Sequence, residues 1–140
     1  MFHLGANTGI GFETALALAK LNHIVILACR DKIRAEAARD KIIEITKNEK
    51  VSFEELDLGS LKSIRKFSIK FKATYSRLNI LVNNAGVFNS HYSKTEDGFE
   101  SHFGINHLGH FLLTNLLLDL IKKSGPSRII NVSSDLHKCN

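Results

Sequence analysis

The stretch Gly5-Ala6-Asn7-Thr8-Gly9-Ile10-Gly11 constrains this chain more than any other. It follows a short run ending in Leu4 and leads directly into Phe12-Glu13-Thr14-Ala15-Leu16-Ala17-Leu18-Ala19, a helical pattern. Glycine accepts backbone angles closed to other residues, and it removes side chains where the chain must turn and a ligand must approach. The helix that follows points its unpaired N–H groups and the positive end of its dipole into the turn, which favours a phosphate there. A dinucleotide site is outlined. The spacing G-x-x-x-G-x-G is one residue longer than the G-x-G-x-x-G fingerprint, and a glycine cluster taken alone also fits a tight strand-to-helix turn without a ligand.

The rest of the chain alternates helix and strand patterns, which points to an α/β fold with a parallel sheet. Gly9 to about Asn22 reads as a helix, with Ile10, Leu18 and Leu21 among its buried side chains and small Ala15 and Ala19 allowing close contact with a sheet. Residues 23–28 form a continuous apolar run, as suits a parallel strand covered on both faces. Asp31 can cap a second helix reaching about Lys47, with Ile33, Ala37, Ile42 and Ile45 as its apolar positions. Residues 51–57 read as a third strand and its exit. Ser60 begins a third helix ending near Tyr75, with Leu61, Ile64, Phe67, Ile69 and Phe71 available to the sheet.

Residues 78–82 form the fourth strand and deliver Asn83-Asn84-Ala85-Gly86 to the sheet edge. A polar loop runs to Thr95. A long helical segment from Asp97 to Ile121 follows, bent or preceded by an irregular turn at Gly98. Phe99 and Phe103 pair at helical spacing, and Leu108, Phe111, Leu112, Leu116 and Leu120 continue a buried face. Ser124-Gly125-Pro126-Ser127 ends the helix, and residues 128–134 read as the fifth strand.

A chain of 140 residues suits one domain able to bury its own core. Its 19 basic and 14 acidic side chains are spread over helix surfaces, which reads as a solvated face instead of a nucleic-acid patch. Two isolated cysteines, Cys29 and Cys139, suggest a reducing compartment more than a disulfide scaffold. Neither a signal peptide nor an apolar stretch of about 18 to 20 residues is present in this sequence, so the expectation for it is cytoplasmic. His107 and His110 are three residues apart, but no third ligand with suitable spacing accompanies them, and no metal site is expected.

Five ordered landmarks together resemble the short-chain dehydrogenase/reductase family, and most nearly its retinol dehydrogenase-like branch. They are the glycine turn, Asp57-Leu58, Asn83-Asn84-Ala85-Gly86, Asn106-His107-Leu108-Gly109-His110-Phe111 and Val132-Ser133-Ser134, and they extend over essentially the whole chain. The resemblance implies a Rossmann-like, doubly wound parallel sheet of about five strands in the order 3-2-1-4-5. It further implies that residues 1–140 are part of an NAD(P)-binding domain, incomplete at both ends. Only the end of the first strand precedes Gly5, and Leu4 stands where the family usually has threonine.

By the same resemblance the cofactor contacts fall on Gly5, Asn7, Thr8, Gly9, Ile10, Gly11, Asp57, Leu58, Asn84, Ala85 and Gly86, with Asp57 and Leu58 at the adenine and Asn84 to Gly86 near the nicotinamide-side ribose. Cys29 occupies the position of the family's NAD-selecting aspartate, and Arg30 beside it offers a fork of donors suited to an added phosphate. NADP(H) is therefore expected over NAD(H). Arg30 could instead pair with Asp31 or with a helix carboxylate. Ser134 matches the substrate-orienting catalytic serine, and Asn106 matches the helix asparagine that supports a water and lysine proton relay.

The family's proton-transferring Tyr-x-x-x-Lys is absent from the 140 residues: the residues four beyond Tyr75 and Tyr92 are Asn79 and Glu96. A complete parent carrying that pair is expected to be an NADP(H)-dependent oxidoreductase moving hydride between nicotinamide and an apolar alcohol or carbonyl such as a retinoid. Such a parent could be anchored at an intracellular membrane, as members of the branch often are. Without that general acid/base pair, the 140 residues themselves are expected to be a catalytically inactive fragment. The alternative is a non-catalytic nucleotide-binding or dimerisation fragment, with the leucine-rich end of the long helix as a homodimer surface.

Overall fold

The computed structural model describes the backbone of residues 2–4 and residues 9–134. Five parallel strands, β1 (Phe2–Leu4), β2 (Val25–Cys29), β3 (Val51–Glu55), β4 (Ile80–Asn83) and β5 (Arg128–Asn131), join in the order β3-β2-β1-β4-β5. Helices α1 (Gly9–Lys20), α2 (Lys32–Thr46) and α3 (Leu61–Thr74) connect the first four strands. A helical run then leads to β5, made of α4 (Ser101–Phe103), a π-helical segment at Gly104–Gly109 and α5 (His110–Lys123).

The buried strand β2 shows why the sheet is covered on both faces. Its side chains alternate. Val25, Leu27 and Cys29 pack with Ala15, Leu16, Ala19, Ala35, Ala38 and Ile42 of α1 and α2. Ile26 and Ala28 pack instead with Ile64, Phe67, Phe71, Leu113 and Leu117 of α3 and α5. All five positions are buried, as the apolar run predicts.

Caps and turns follow from local chemistry. Asp31 accepts a hydrogen bond from the Arg34 backbone N–H and opens α2, while Ser60 does the same with Ser63 and opens α3. Both caps are where the sequence places them. A second group also serves α3: the Asp97 carboxylate accepts from the Leu61 N–H at 2.7 Å. Asp97 therefore belongs to a turn and not to the long helix, which starts at Ser101. In that turn the Gly98 N–H donates to the Thr95 carbonyl and Gly98 takes φ +85°, a conformation that favours glycine.

Several expected core positions lie elsewhere. Ile10 and Leu21 are exposed: Ile10 borders a cleft in the first turn of α1, and Leu21 lies past its last residue. On α2, Ile33, Ala37 and Ile45 face outward, because the close approach of α1 and β2 is made by Ala35 and Ala38 together with Ile42. On α3, Ile69 is exposed and Ser68 is buried, its hydroxyl donating to the Ile64 carbonyl. Phe99 and Phe103 are both exposed. The face of α5 is centred on Leu113, Leu117 and Ile121, one residue beyond Leu112, Leu116 and Leu120, and Phe111 is exposed. The π segment advances the phase, since its i to i+5 turns take in an extra residue.

Polar anchors tie the connections to the layers. Asn48 is buried, donates to the Ala19 and His23 carbonyls at 3.0 and 2.8 Å, and accepts from the Lys50 N–H at 2.9 Å. Ser124 accepts from the Leu78 N–H and donates to the Leu120 carbonyl, which fastens the end of α5 to the entry of β4. Among the described residues no helix is long and apolar enough to cross a membrane.

Candidate functional site

The carboxyl ends of the strands carry two clefts that meet along the loop after β4. The first has a volume of about 590 Å³. One wall is the start of α1, where Gly9 has φ +55°, in the left-handed region that favours glycine, and where Ile10 and Gly11 face the cleft. N–H groups in a first helical turn have no acceptor within the helix, so this wall offers donors to an anion. Gly5, Asn7 and Thr8 lie outside the described residues.

The end of β2 supplies the charged rim. Cys29 is buried, while Arg30, Asp31 and Arg34 border the cleft. The Asp31 carboxylate accepts from the Arg34 backbone N–H at 3.0 Å and lies 3.2 Å from Arg34 Nε, so it is engaged with Arg34 and not with Arg30. Arg30 is exposed and forms no ion pair among the described residues. At the end of β2 two guanidinium groups stand against one carboxylate, so this stretch of the rim is positive, while the cleft's second carboxylate, Asp57, lies at the end of β3. Arg34 is the member that sequence reasoning missed. Its signal was its place one turn into the helix capped by Asp31, which returns its side chain to the strand end.

The end of β3 contributes Asp57 and Leu58. Asp57 Oδ1 accepts from the Gly59 N–H at 2.8 Å, and the Asp57 N–H donates to Ser63 Oγ at 3.0 Å, which holds the loop rigid. Leu58 is buried against Gly109 of the π segment. From β4, Asn84, Ala85, Gly86 and Val87 line both clefts. A Cβ on Gly86 would meet Asn106 Oδ1 at 3.7 Å, an ordinary contact, so packing alone does not demand glycine there.

The second cleft, of about 1120 Å³, brings Asn106 and Ser134 to one wall system. Asn106 sits within the π segment, and its amide is paired twice with one residue: Oδ1 accepts from the Val87 N–H at 2.8 Å and Nδ2 donates to the Val87 carbonyl at 3.0 Å. The asparagine is exposed, not buried in the helix interior, yet both halves of its amide are satisfied. Ser134 is exposed just beyond β5. Asn83 donates through Nδ2 to Thr114 Oγ1 at 3.1 Å and to Asn131 Oδ1 at 2.8 Å, joining β4 to α5 and β5.

The two histidines diverge. His107 lies between the Phe103 and Phe111 rings, with centroids 5.3 and 6.3 Å away. His110 is buried, its Nδ1 3.1 Å from the Asn106 carbonyl, and burial holds the imidazole below its ordinary pKa. No group of three His, Cys, Asp or Glu is placed to hold a metal among the described residues. At the outer edge, His102 Nδ1 bonds Glu100 while His102 Nε2 accepts from the Asn89 N–H at 2.9 Å. The Glu100 carboxylate is held down to about 2 by the His102 and Phe103 backbone N–H groups and then by the His102 ring.

Comparison with known proteins agrees with this arrangement. The short chain dehydrogenase family matches residues 1–139. Retinol dehydrogenase 12 of Mus musculus is 55% identical over 133 residues, covering 95% of this chain and 42% of the relative. Retinol dehydrogenase 13 of Homo sapiens is 58% identical over 133 residues, covering 95% of this chain and 40% of the relative. The chain thus spans less than half the length of these relatives. Among solved structures, a short-chain dehydrogenase from Sphingobium yanoikuyae in complex with NADPH superposes with a TM-score of 0.83 at 26% identity, covering 99% of this chain and 54% of that one. The chain belongs to the short chain dehydrogenase family, and retinol dehydrogenases 12 and 13 are among its curated relatives.

Proposed function

We propose that residues 1–140 are part of one NAD(P)-binding Rossmann domain, with the strand order 3-2-1-4-5, and that the protein is an NADP(H)-dependent oxidoreductase acting on an apolar alcohol or carbonyl such as a retinoid. The observation that carries this reading is the convergence of Ile10, Gly11, Arg30, Asp57, Leu58 and Asn84 to Gly86 from four separate strand ends onto one cleft. That cleft runs into the one bordered by Asn106 and Ser134 through the shared residues Asn84 to Val87. Solved relatives in complex with NADP and NADPH and the retinol dehydrogenase names of the curated relatives support the cofactor and substrate class.

The donor set fits the group. The first turn of α1 would take the pyrophosphate, Asp57 and Leu58 the adenine, and Arg30 with Arg34 the added phosphate of NADP(H). A bound nicotinamide supplies or accepts hydride at its ring. Ser134 would hold the substrate oxygen through its hydroxyl. Asn106 would fix the loop carrying Gly86 and Val87 against the π segment, so that the substrate side of the cleft keeps its shape.

The 140 residues contain no Tyr-x-x-x-Lys, and this favours a second reading for the chain by itself: it binds nucleotide, or pairs with a second copy, without turnover. Both readings are separated by following NADPH oxidation with an apolar aldehyde, using the longest natural chain and residues 1–140 in parallel. The proposal expects turnover by the longer chain, lost on Ser134→Ala, and none by residues 1–140. Turnover unaffected by Ser134→Ala would contradict the assigned site.

A further inference from the structure

The loop that leaves β4 is held on both sides of one aromatic residue. On one side, the Val87 N–H and carbonyl are both taken by the Asn106 amide. On the other, the Asn89 N–H donates to His102 Nε2 at 2.9 Å. Phe88 stands between them, 78% exposed, its ring inclined 62° to the His102 imidazole with 6.0 Å between centroids.

His102 can hold this loop in one protonation state. A backbone N–H must donate, so Nε2 carries a lone pair and the ring proton is on Nδ1. That proton points at Glu100 Oε1, 2.8 Å away, and the Glu100 carboxylate is fixed in turn by the His102 and Phe103 backbone N–H groups. A second proton on the ring would set donor against donor at Asn89. Glu100 is the charged group in contact with the imidazole, and the loop facing it brings uncharged Phe88 and Asn89 against it, while His91, further along that loop, bonds Ser90.

A single exposed phenylalanine needs no explanation. Phe88 differs because its backbone is fixed and its ring borders the second cleft with Phe111, Ile129 and Val132, which are exposed as well. These four apolar side chains share the cleft with Ser134. Apolar walls with a few polar groups suit a ligand that has an apolar body and one oxygen. A wall whose backbone is already ordered gives up little further freedom on contact.

We propose that Phe88 is a specificity-determining residue that receives the apolar body of the substrate, and that His102, as the neutral Nδ1–H tautomer, is its positioning residue. This rests on the reading of the protein as an oxidoreductase for apolar alcohols or carbonyls. Ser134 holds the reacting oxygen, and Phe88 discriminates among the groups attached to it. Glu100 keeps the ring proton at Nδ1, which leaves the Nε2 lone pair to Asn89.

The test is the ratio of kcat/KM for decanal over propanal, followed by NADPH oxidation with the longest natural chain and its variants Phe88→Ala, His102→Phe and His102→Gln. Phe88→Ala should lower the ratio about 10-fold, the worth of one aromatic contact, with the loss in KM for decanal. His102→Phe keeps a ring beside Phe88 but removes the acceptor, so it should lower the ratio too. His102→Gln, which again offers an acceptor and a donor, should restore part of it. Turnover of both aldehydes with a ratio untouched by Phe88→Ala overturns the inference and leaves the reading beneath it standing. No turnover of either aldehyde by the unaltered protein overturns that reading and the inference with it. Nitrogen-15 NMR of the His102 ring in mildly alkaline solution decides the positioning role without substrate. Nδ1 protonated and Nε2 bare is expected, and a protonated Nε2 overturns it.

Discussion

A Cβ on Gly109 would stand 3.0 Å from the Leu58 Cβ, and closer still to the Leu58 carbonyl oxygen. The π segment and the β3 exit loop thus touch backbone to backbone, and this contact sets the distance between the helix that carries Asn106 and the wall of the first cleft. Backbone cannot rotate aside as a long side chain can. Gly109→Ala should therefore destabilise the fold by about 1–3 kcal/mol, the usual cost of overpacking, and should displace Leu58. Thermal unfolding checks the first effect, and backbone chemical shifts at Leu58 and Gly59 check the second.

Asn48 makes a prediction about stability away from the clefts. Its three hydrogen bonds join the end of α1, the entry to β2 and the entry to β3. Asn48→Ala removes them, which leaves the His23 carbonyl and the Lys50 N–H without this partner, while the Ala19 carbonyl keeps the Asn22 N–H. The expected loss is about 2–4 kcal/mol, because unmade buried hydrogen bonds cost more than made ones contribute. Denaturant unfolding measures it, and a loss below about 0.5 kcal/mol, the range of an ordinary surface change, would show that the anchor is dispensable.

Glu100 and His110 make stability depend on pH in two separate windows. Glu100 is lowered from 4.5 to about 2 by backbone N–H groups, and His110 is lowered from 6.5 by burial. In both cases the unfolded chain binds the proton more readily, so stability rises with pH. The His110 contribution is complete above 6.5 and is lost as pH falls through its lowered folded value. The Glu100 contribution is complete above 4.5 and is lost as pH falls toward about 2. Melting curves between about pH 8 and pH 3 should decline in two stages. His110→Phe should remove the upper stage and Glu100→Gln the lower.

Much of the fold was legible because local chemistry and tertiary structure agree. Asp31 and Ser60 cap the helices they precede, and the apolar run ending at Ala28 is a strand covered on both faces. The residues expected at the first cleft from Ile10 to Gly86 border it because strand ends and helix starts fall together at one edge of a parallel sheet. The failures have specific causes. No residue pattern announces a π turn, so the face of α5 was placed one residue early. Asp97 caps a helix 36 positions away in the chain, which local reading cannot see. On α2 Ile42 is buried as expected, but the rest of the face is carried by Ala35 and Ala38, whose small apolar signal is outweighed in the sequence by Ile33 and Ile45, which face water. Arg34 was missed because its place at the cleft follows from the turn of α2 and not from any motif.

The most direct test of the account is calorimetric titration of the folded chain with NADPH and with NADH, on the unaltered sequence and on Arg30→Ala and Arg34→Ala. The prediction is saturable NADPH binding, tighter than NADH binding and weakened about 10- to 100-fold by each substitution, the value of a lost charge-assisted hydrogen bond. NADH binding should be nearly unchanged by either. A demonstrably folded chain that binds neither nucleotide, or binds NADPH equally well without the two arginines, would contradict the assignment of the first cleft.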